Sequence, residues 1–214
     1  MSLLDIPDSW TDDQLEAFLR TAVGITQEDR KQNQILYYQP ASPKVQAIHD
    51  CKAKVVGVGG GNGSGKSDTV LVDAMMCATG VFPYSQRHLI EQKFKGPIAV
   101  RLVVESLTTT LEPIILPKLQ WWRWSGVDLA GGERGHWGWI PKNCLIDGDW
   151  QKSWSSKLRM LTIICRDPYD NDKIIGQSTI QFMSTLMSPG SVRPAIYSLN
   201  RLGDCMCVTS DRKS

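Results

Sequence analysis

The chain has 214 residues, of which 42% are hydrophobic and 21% are charged, and its formal net charge is +2. This composition excludes a disordered chain and is typical of a globular protein with one sizeable core. So small a net charge leaves nucleic acid open as a partner, because a basic stripe on one surface can be hidden in a near-neutral total. The sequence has no apolar run long enough for a membrane span and carries acids near its start. These features predict a cytoplasmic protein without membrane contact.

The N-terminal part predicts a short amphipathic helix over residues 11–23. Thr11 is followed three residues later by Gln14, which is the spacing of a capping box, and apolar residues then recur at helical intervals. A polar and then aromatic stretch follows, and two prolines interrupt it, which is typical of a linker. We therefore assign residues 1–36 to an N-terminal helical segment with a linker.

The centre of the chain predicts a strand, a loop and a helix in succession. Residues 54–58 form a short β-branched run, and a glycine-rich stretch follows it. An apolar-faced helix then runs on from Ser67, with Gly80 as its C-terminal stop. A second apolar run at 97–106 predicts another strand. This alternation predicts a parallel sheet covered by helices.

Residues 111–124 are apolar but contain Pro113 and Pro117, so we expect a kinked or short helix. Most of the tryptophans lie between residues 121 and 154, among basic residues. Stacked aromatic rings beside positive charges can hold a nucleic-acid strand. Aromatic residues in a loop-rich stretch more often form its core, and we favour that interpretation. The basic residues concerned are Arg123, Arg134, Lys142, Lys152, Lys157 and Arg159.

Two further apolar runs, at 158–166 and 176–184, flank a turn rich in Pro, Asn and Asp, which predicts a β-hairpin. After Ser184 the periodicity is lost, so we treat residues 185–214 as an atypical C-terminal tail. Six cysteines and three histidines are scattered along the chain without paired CxxC motifs. This spacing predicts free thiols, and we assign no metal ligand to any of them.

The glycine-rich stretch matches the phosphate-loop pattern G-x-x-x-x-G-K-[ST]. Successive backbone N–H groups of such a loop converge on phosphate oxygens, and the following helix adds the positive end of its dipole. Lys66 is expected to contact the β- and γ-phosphates of ATP and to act in catalysis, and Ser67 to bind Mg²⁺. The residues assigned to nucleotide binding are Gly60, Gly61, Asn62, Gly63, Ser64, Gly65, Lys66 and Ser67.

Together with "YYQPASPKVQAIHD" from residue 37, "ILPKLQWW" and "STIQFMS", this loop resembles the N-terminal ATPase part of the large terminase subunit of tailed bacteriophages. The resemblance covers roughly residues 37–184. It implies a P-loop NTPase fold of the α/β class, a three-layer sheet with helices on both faces. It also implies a motor that couples ATP hydrolysis to translocation of double-stranded DNA in the host cytoplasm. The implied partners are the portal, the small terminase subunit and further copies of the chain in a homo-oligomeric ring.

The resemblance further makes Gln46 a candidate for an adenine contact, and a solvated glutamine is the alternative. The sequence departs from the family in other places. Gly63 stands where many relatives carry an arginine, and no apolar strand ending in two acids follows residue 184. Asp167 is the nearest substitute for those acids. The nuclease domain of the family is also missing.

These departures predict an incomplete sheet and slow hydrolysis. They fit either a fragment or a gene shifted in frame after Ser184. Two alternative functions stay open. One is a non-catalytic remnant that binds nucleotide or a partner without turnover. The other is a small-molecule kinase, which uses the same loop but needs a basic lid and a substrate pocket that the sequence does not reveal.

Overall fold

The computed structural model describes residues 11–53, 56–58, 65–123 and 135–184. Within these ranges the chain is mixed α/β, with a four-stranded sheet and a separate two-stranded sheet. The α-helices are α1 Asp12–Gln32, α2 Pro43–Asp50, α3 Lys66–Thr79, α4 Ile90–Lys93, α5 Leu116–Leu119 and α6 Trp150–Ser153. The strands are β1 Ala99–Val104, β2 Trp121–Arg123, β3 Gly135–Trp137, β4 Trp154–Ser155, β5 Met160–Arg166 and β6 Ile174–Ser184.

Helix α1 begins as predicted but is longer than predicted. The hydroxyl of Thr11 accepts from the N–H of Gln14, and the Gln14 side chain accepts from the N–H of Thr11, so the capping box is present. The helix continues through Gly24 to Gln32 and ends at Asn33. The predicted linker is therefore wrong up to this point, because a polar run rich in Gln, Glu, Lys and Arg has high helix propensity.

Helix α3 confirms the helix predicted for the centre of the chain. Gly65 precedes it and Gly80 follows it, both in the left-handed conformation with φ of 76°. Gly80 is required for a second reason as well. A Cβ at this position would lie 1.9 Å from the backbone oxygen of Arg166. The side chains of α3 that enter the core include Leu71, Val72, Met75, Met76 and Ala78.

The four-stranded sheet has the order β1-β6-β5-β4. Strand β1 is parallel to β6, with Val104 opposite Ser184, whereas β5 is antiparallel to β6 and to β4. The predicted hairpin is thus confirmed, and the predicted parallel sheet is confirmed only for the β1–β6 pair. The connection over residues 167–173 is too short for a crossover, so β5 and β6 must be antiparallel.

One face of this sheet is buried under α3, and the other face is not. Val100, Leu102, Ile163, Ile180 and Phe182 belong to the buried core. The residues that alternate with them along the strands are all at least partly exposed, and many are polar. The prediction of helices on both faces is therefore not confirmed, and among the described residues α3 packs on β1, β5 and β6.

The strand predicted at residues 54–58 is not found at 56–58, the part of it that the structure describes. Val56 is 43% exposed there, and no strand is formed. Residues 54–55, the glycines at 59–61, residues 62–64 and the predicted tail at 185–214 lie outside the described residues. The phosphate-loop motif is therefore described only from Gly65 onward.

The interrupted helix predicted around Pro113 and Pro117 is confirmed. A π-helix spans Leu107–Ile115 and contains Pro113, and α5 follows directly with Pro117 in its first turn. Both Thr110 and Leu111 donate their N–H groups to the oxygen of Ser106. The π-helical winding accommodates a proline that the ordinary hydrogen-bond pattern of an α-helix does not tolerate in its interior.

Candidate nucleotide site at the start of helix α3

Helix α3 begins toward the carboxyl ends of the parallel strands. Its C-terminal end meets Arg166, which pairs with Ile174 at the start of β6, and the helix packs on β1, β5 and β6. Its first turn therefore lies toward the edge formed by Val104 and Ser184. Open α/β sheets bind ligands at this edge, outside the carboxyl ends of their strands.

The first turn of α3 carries the described part of the phosphate-loop motif. Gly65, Lys66 and Ser67 are half-buried. The hydroxyl of Thr69 donates to the oxygen of Gly65 at 3.0 Å and so secures the turn. The first N–H groups of a helix have no partner within the helix, and the helix dipole is positive there. This turn is consequently a suitable place for phosphate oxygens.

Asp68 ties this turn to a distant part of the chain. One carboxylate oxygen accepts from the ammonium of Lys118 at 2.6 Å, and the other accepts from the indole N–H of Trp139 at 3.1 Å. The side chain of Lys118 is 17% exposed and that of Asp68 is 33% exposed. These partners lie 50 and 71 residues away in sequence, so no local pattern predicts the contact.

Behind the turn lies a buried polar chain. The Tyr38 hydroxyl is 3.0 Å from Nε2 of His49, whose Nδ1 is 2.9 Å from the carboxylate of Asp73. Lys93 donates to the same carboxylate oxygen at 2.5 Å. Burial raises the pKa of the Tyr38 hydroxyl, and a hydrogen bond with Thr69 opposes that effect. This hydrogen-bond network thus connects α3 to Tyr38, to α2 and to α4.

Gln46, the predicted adenine contact, lies on α2 and is half-buried. Its amide exchanges two hydrogen bonds with the amide of Gln86, at 2.8 and 3.0 Å, and donates a third to Asp50 at 2.8 Å. Gln86 is fully buried. The side chain of Gln46 is thus held by Gln86 and Asp50, and its contact with adenine stays a prediction.

Asp167 is placed at the opposite end of α3 from Lys66. It follows Arg166, which contacts Gly80, and the 14 residues of α3 separate that point from the phosphate loop. At 1.5 Å per residue the separation is about 20 Å. The N–H of Tyr169 and then Lys173 hold the pKa of Asp167 below its usual range. The structure gives Asp167 a role in the hairpin turn and does not bring it to Ser67.

Glu105 is an acid at the carboxyl end of β1, and the sequence motifs did not point to it. It directly follows β1, and its backbone oxygen accepts from the hydroxyl of Ser184 at 2.7 Å. Glu105 is partly exposed and lies in a bend just beyond the end of the strand. The sequence signal is an apolar run that ends in an acid, whereas the family resemblance places such a strand after residue 184.

The described tryptophans confirm that these aromatic residues build the core. Trp137, Trp139 and Trp154 pack against it, and Trp150 belongs to it with 8% exposure. The rings of Trp150 and Trp154 are stacked, with centroids 6.3 Å apart. The side chains of Trp121 and Trp122 and the whole of Trp124 lie outside the described residues.

The four cysteines in the described ranges are free, and Cys144 and Cys165 are buried. Burial raises the pKa of the Cys144 thiol to about 12. Within the same ranges, no group of three or more His, Cys, Asp or Glu side chains is arranged to hold a metal ion. None of the helices described is both long enough and apolar enough to cross a membrane.

No family model matches the chain, and no curated protein or solved structure matches it. The terminase resemblance thus depends on the sequence motifs alone.

Proposed function

We propose that the chain binds ATP with Mg²⁺ through residues 60–67 and serves as the ATP-binding part of a DNA-packaging motor of the terminase type. The observation that carries the proposal is the position of Lys66. It opens an α-helix directly after Gly65, and that helix begins toward the carboxyl ends of two parallel strands. A sequence motif for phosphate binding and a location suited to it coincide.

The chemistry follows from the residues at this turn. The helix N–H groups and the Lys66 ammonium would neutralise the β- and γ-phosphates, and the Ser67 hydroxyl would bind Mg²⁺. In the proposed motor, ATP hydrolysis by a ring of copies would be coupled to translocation of double-stranded DNA through the portal. The small terminase subunit would deliver that DNA in the host cytoplasm.

Calorimetry with ATP and Mg²⁺ tests the binding step. Lys66→Ala removes a charge-assisted hydrogen bond, which contributes about 1.5–3 kcal/mol, so we expect roughly a tenfold or greater loss of affinity. Lys52→Ala is the matched control, because Lys52 is an exposed lysine that precedes the motif and is not part of it. Equal affinity in the Lys66 variant and in the control would contradict the proposal.

A second candidate is nucleotide binding without turnover, and the position of Asp167 favours it. In-line attack on the γ-phosphate requires an oriented water and a well-held metal. The structure places Asp167, the acid predicted to help, at the far end of α3. We therefore expect phosphate release well below about 1 s⁻¹, the lower end of ordinary enzyme rates. Faster release, stimulated by double-stranded DNA, would favour the motor over this candidate and over a kinase.

A further inference from the structure

The first turn of α3 contacts a second region of the chain, which we call the aromatic lobe. It comprises residues 107–123 and 135–141, with the π-helix, α5, and strands β2 and β3. Asp68 makes the contact, through Lys118 at 2.6 Å and Trp139 at 3.1 Å. Both partners are at least partly buried. The residue next to the proposed Mg²⁺ ligand is thus held by the lobe.

Lys118 and Trp139 belong to one rigid unit. The N–H of Trp139 donates to the oxygen of Lys118 at 2.9 Å, and the N–H of Ile140 donates to the oxygen of Leu119 at 3.2 Å. Gly138 packs so closely that a Cβ there would lie 2.1 Å from the Lys118 oxygen. A change at Asp68 is therefore passed to both of its partners together.

Nucleotide brings negative charge close to the carboxylate of Asp68. Phosphate oxygens bound at the first turn would share the positive end of the α3 dipole with Asp68, and two negative charges on one turn repel each other. The carboxylate can respond by moving toward Lys118 or away from Trp139. In either case the hydrogen bond to the indole N–H changes when the loop is filled.

We propose that Asp68 is a positioning residue that couples ATP binding at Lys66 and Ser67 to the aromatic lobe through Lys118 and Trp139. This inference rests on the proposed function. It adds to the proposed function a set of contacts through which nucleotide binding affects the aromatic lobe. The alternative is a purely structural role, in which the contact of Asp68 packs α3 against α5 and does not respond to nucleotide.

Fluorine NMR of the full chain labelled with 5-fluorotryptophan tests the coupling. Trp139→Phe identifies the Trp139 resonance by its loss, and Trp139→Tyr serves the same purpose if the phenylalanine variant does not fold. We expect ATP with Mg²⁺ to shift this resonance in the wild type, and to leave the resonance of Trp150 in place as the internal control. Lys66→Ala should abolish the shift at the same ATP concentration.

Asp68→Asn separates charge from packing. It is nearly isosteric and keeps an oxygen for the indole N–H, but it removes the ion pair with Lys118. We expect the ATP-dependent shift of Trp139 to fall to less than half while the fold is retained. A Trp139 resonance that does not move, although calorimetry shows ATP bound, would overturn the coupling and leave the proposed function standing. Absence of ATP binding in calorimetry would overturn both.

Discussion

The two ends of α3 differ in how they are held. At the C-terminal end, Gly80 is buried against the backbone of Arg166, with no room for a side chain. At the N-terminal end, Lys66 and Ser67 are half-buried, and side chains of Asp68 and Thr69 provide the contacts. Backbone contacts of the first kind leave no freedom, whereas side-chain contacts of the second kind can adjust. The C-terminal end, which we call the closed end, thus fixes the helix. The N-terminal end, which we call the open end, is the one suited to a ligand.

The largest loss of stability is expected from a side chain added at the C-terminal end of α3. Gly80→Ala combines an unfavourable φ with a collision against the Arg166 oxygen, so we expect a loss of about 3 kcal/mol or more in the free energy of unfolding. Gly96→Ala is the matched control. It has φ of 88° but no atom within 4 Å of the added Cβ, so we expect about 1–2 kcal/mol. Urea unfolding of both variants measures this, and equal losses would show that the backbone contact is unimportant.

A smaller effect is expected between the two ends, where Asp73 bonds to His49 and Lys93. Asp73→Ala leaves the buried His49 and the partly exposed Lys93 without their acceptor. Breaking a fully buried ion pair costs roughly 3–5 kcal/mol, and because Lys93 keeps access to water we expect a smaller loss of about 2 kcal/mol. Glu91→Ala, an exposed acid on α4, should change stability by less than about 0.5 kcal/mol. Thermal unfolding compares the two. A stable Asp73 variant would mean that the polar chain does not hold α3 in place.

The smallest effect is expected from Asp167→Ala. Because its pKa is lowered in the folded state, the ionised carboxylate stabilises the fold above its ordinary pKa of about 3.9. This contribution is lost as the pH falls through the lowered pKa. The variant should therefore be slightly less stable than the wild type at pH 7 and equal to it in strong acid. Its affinity for ATP should be unchanged, and a loss of affinity would show that Asp167 reaches the site.

The elements that the sequence predicted correctly are those set by neighbouring residues. The capping box of α1, the glycine that ends α3, and the β5–β6 hairpin each depend on a pattern within a few residues. The same local reasoning ended α1 too early, because Gly24 does not break a helix whose remaining residues favour it.

Other errors concern relations between distant segments. The contact of Asp68 with Lys118 and Trp139 requires three segments to come together, and no sequence spacing predicts it. The acid Asp167 follows an apolar strand, as expected of a catalytic acid. Only the antiparallel direction of β5 shows that this strand ends at the wrong edge of the sheet.

The central claim, that nucleotide binds at the open end of α3, is tested most directly by hydrogen exchange of the backbone amides with and without ATP and Mg²⁺. We expect slower exchange in peptides that span residues 60–72, unchanged exchange in those that span 160–176, and no protection in Lys66→Ala. Protection of residues 160–176 with unchanged exchange at 60–72 would contradict the account.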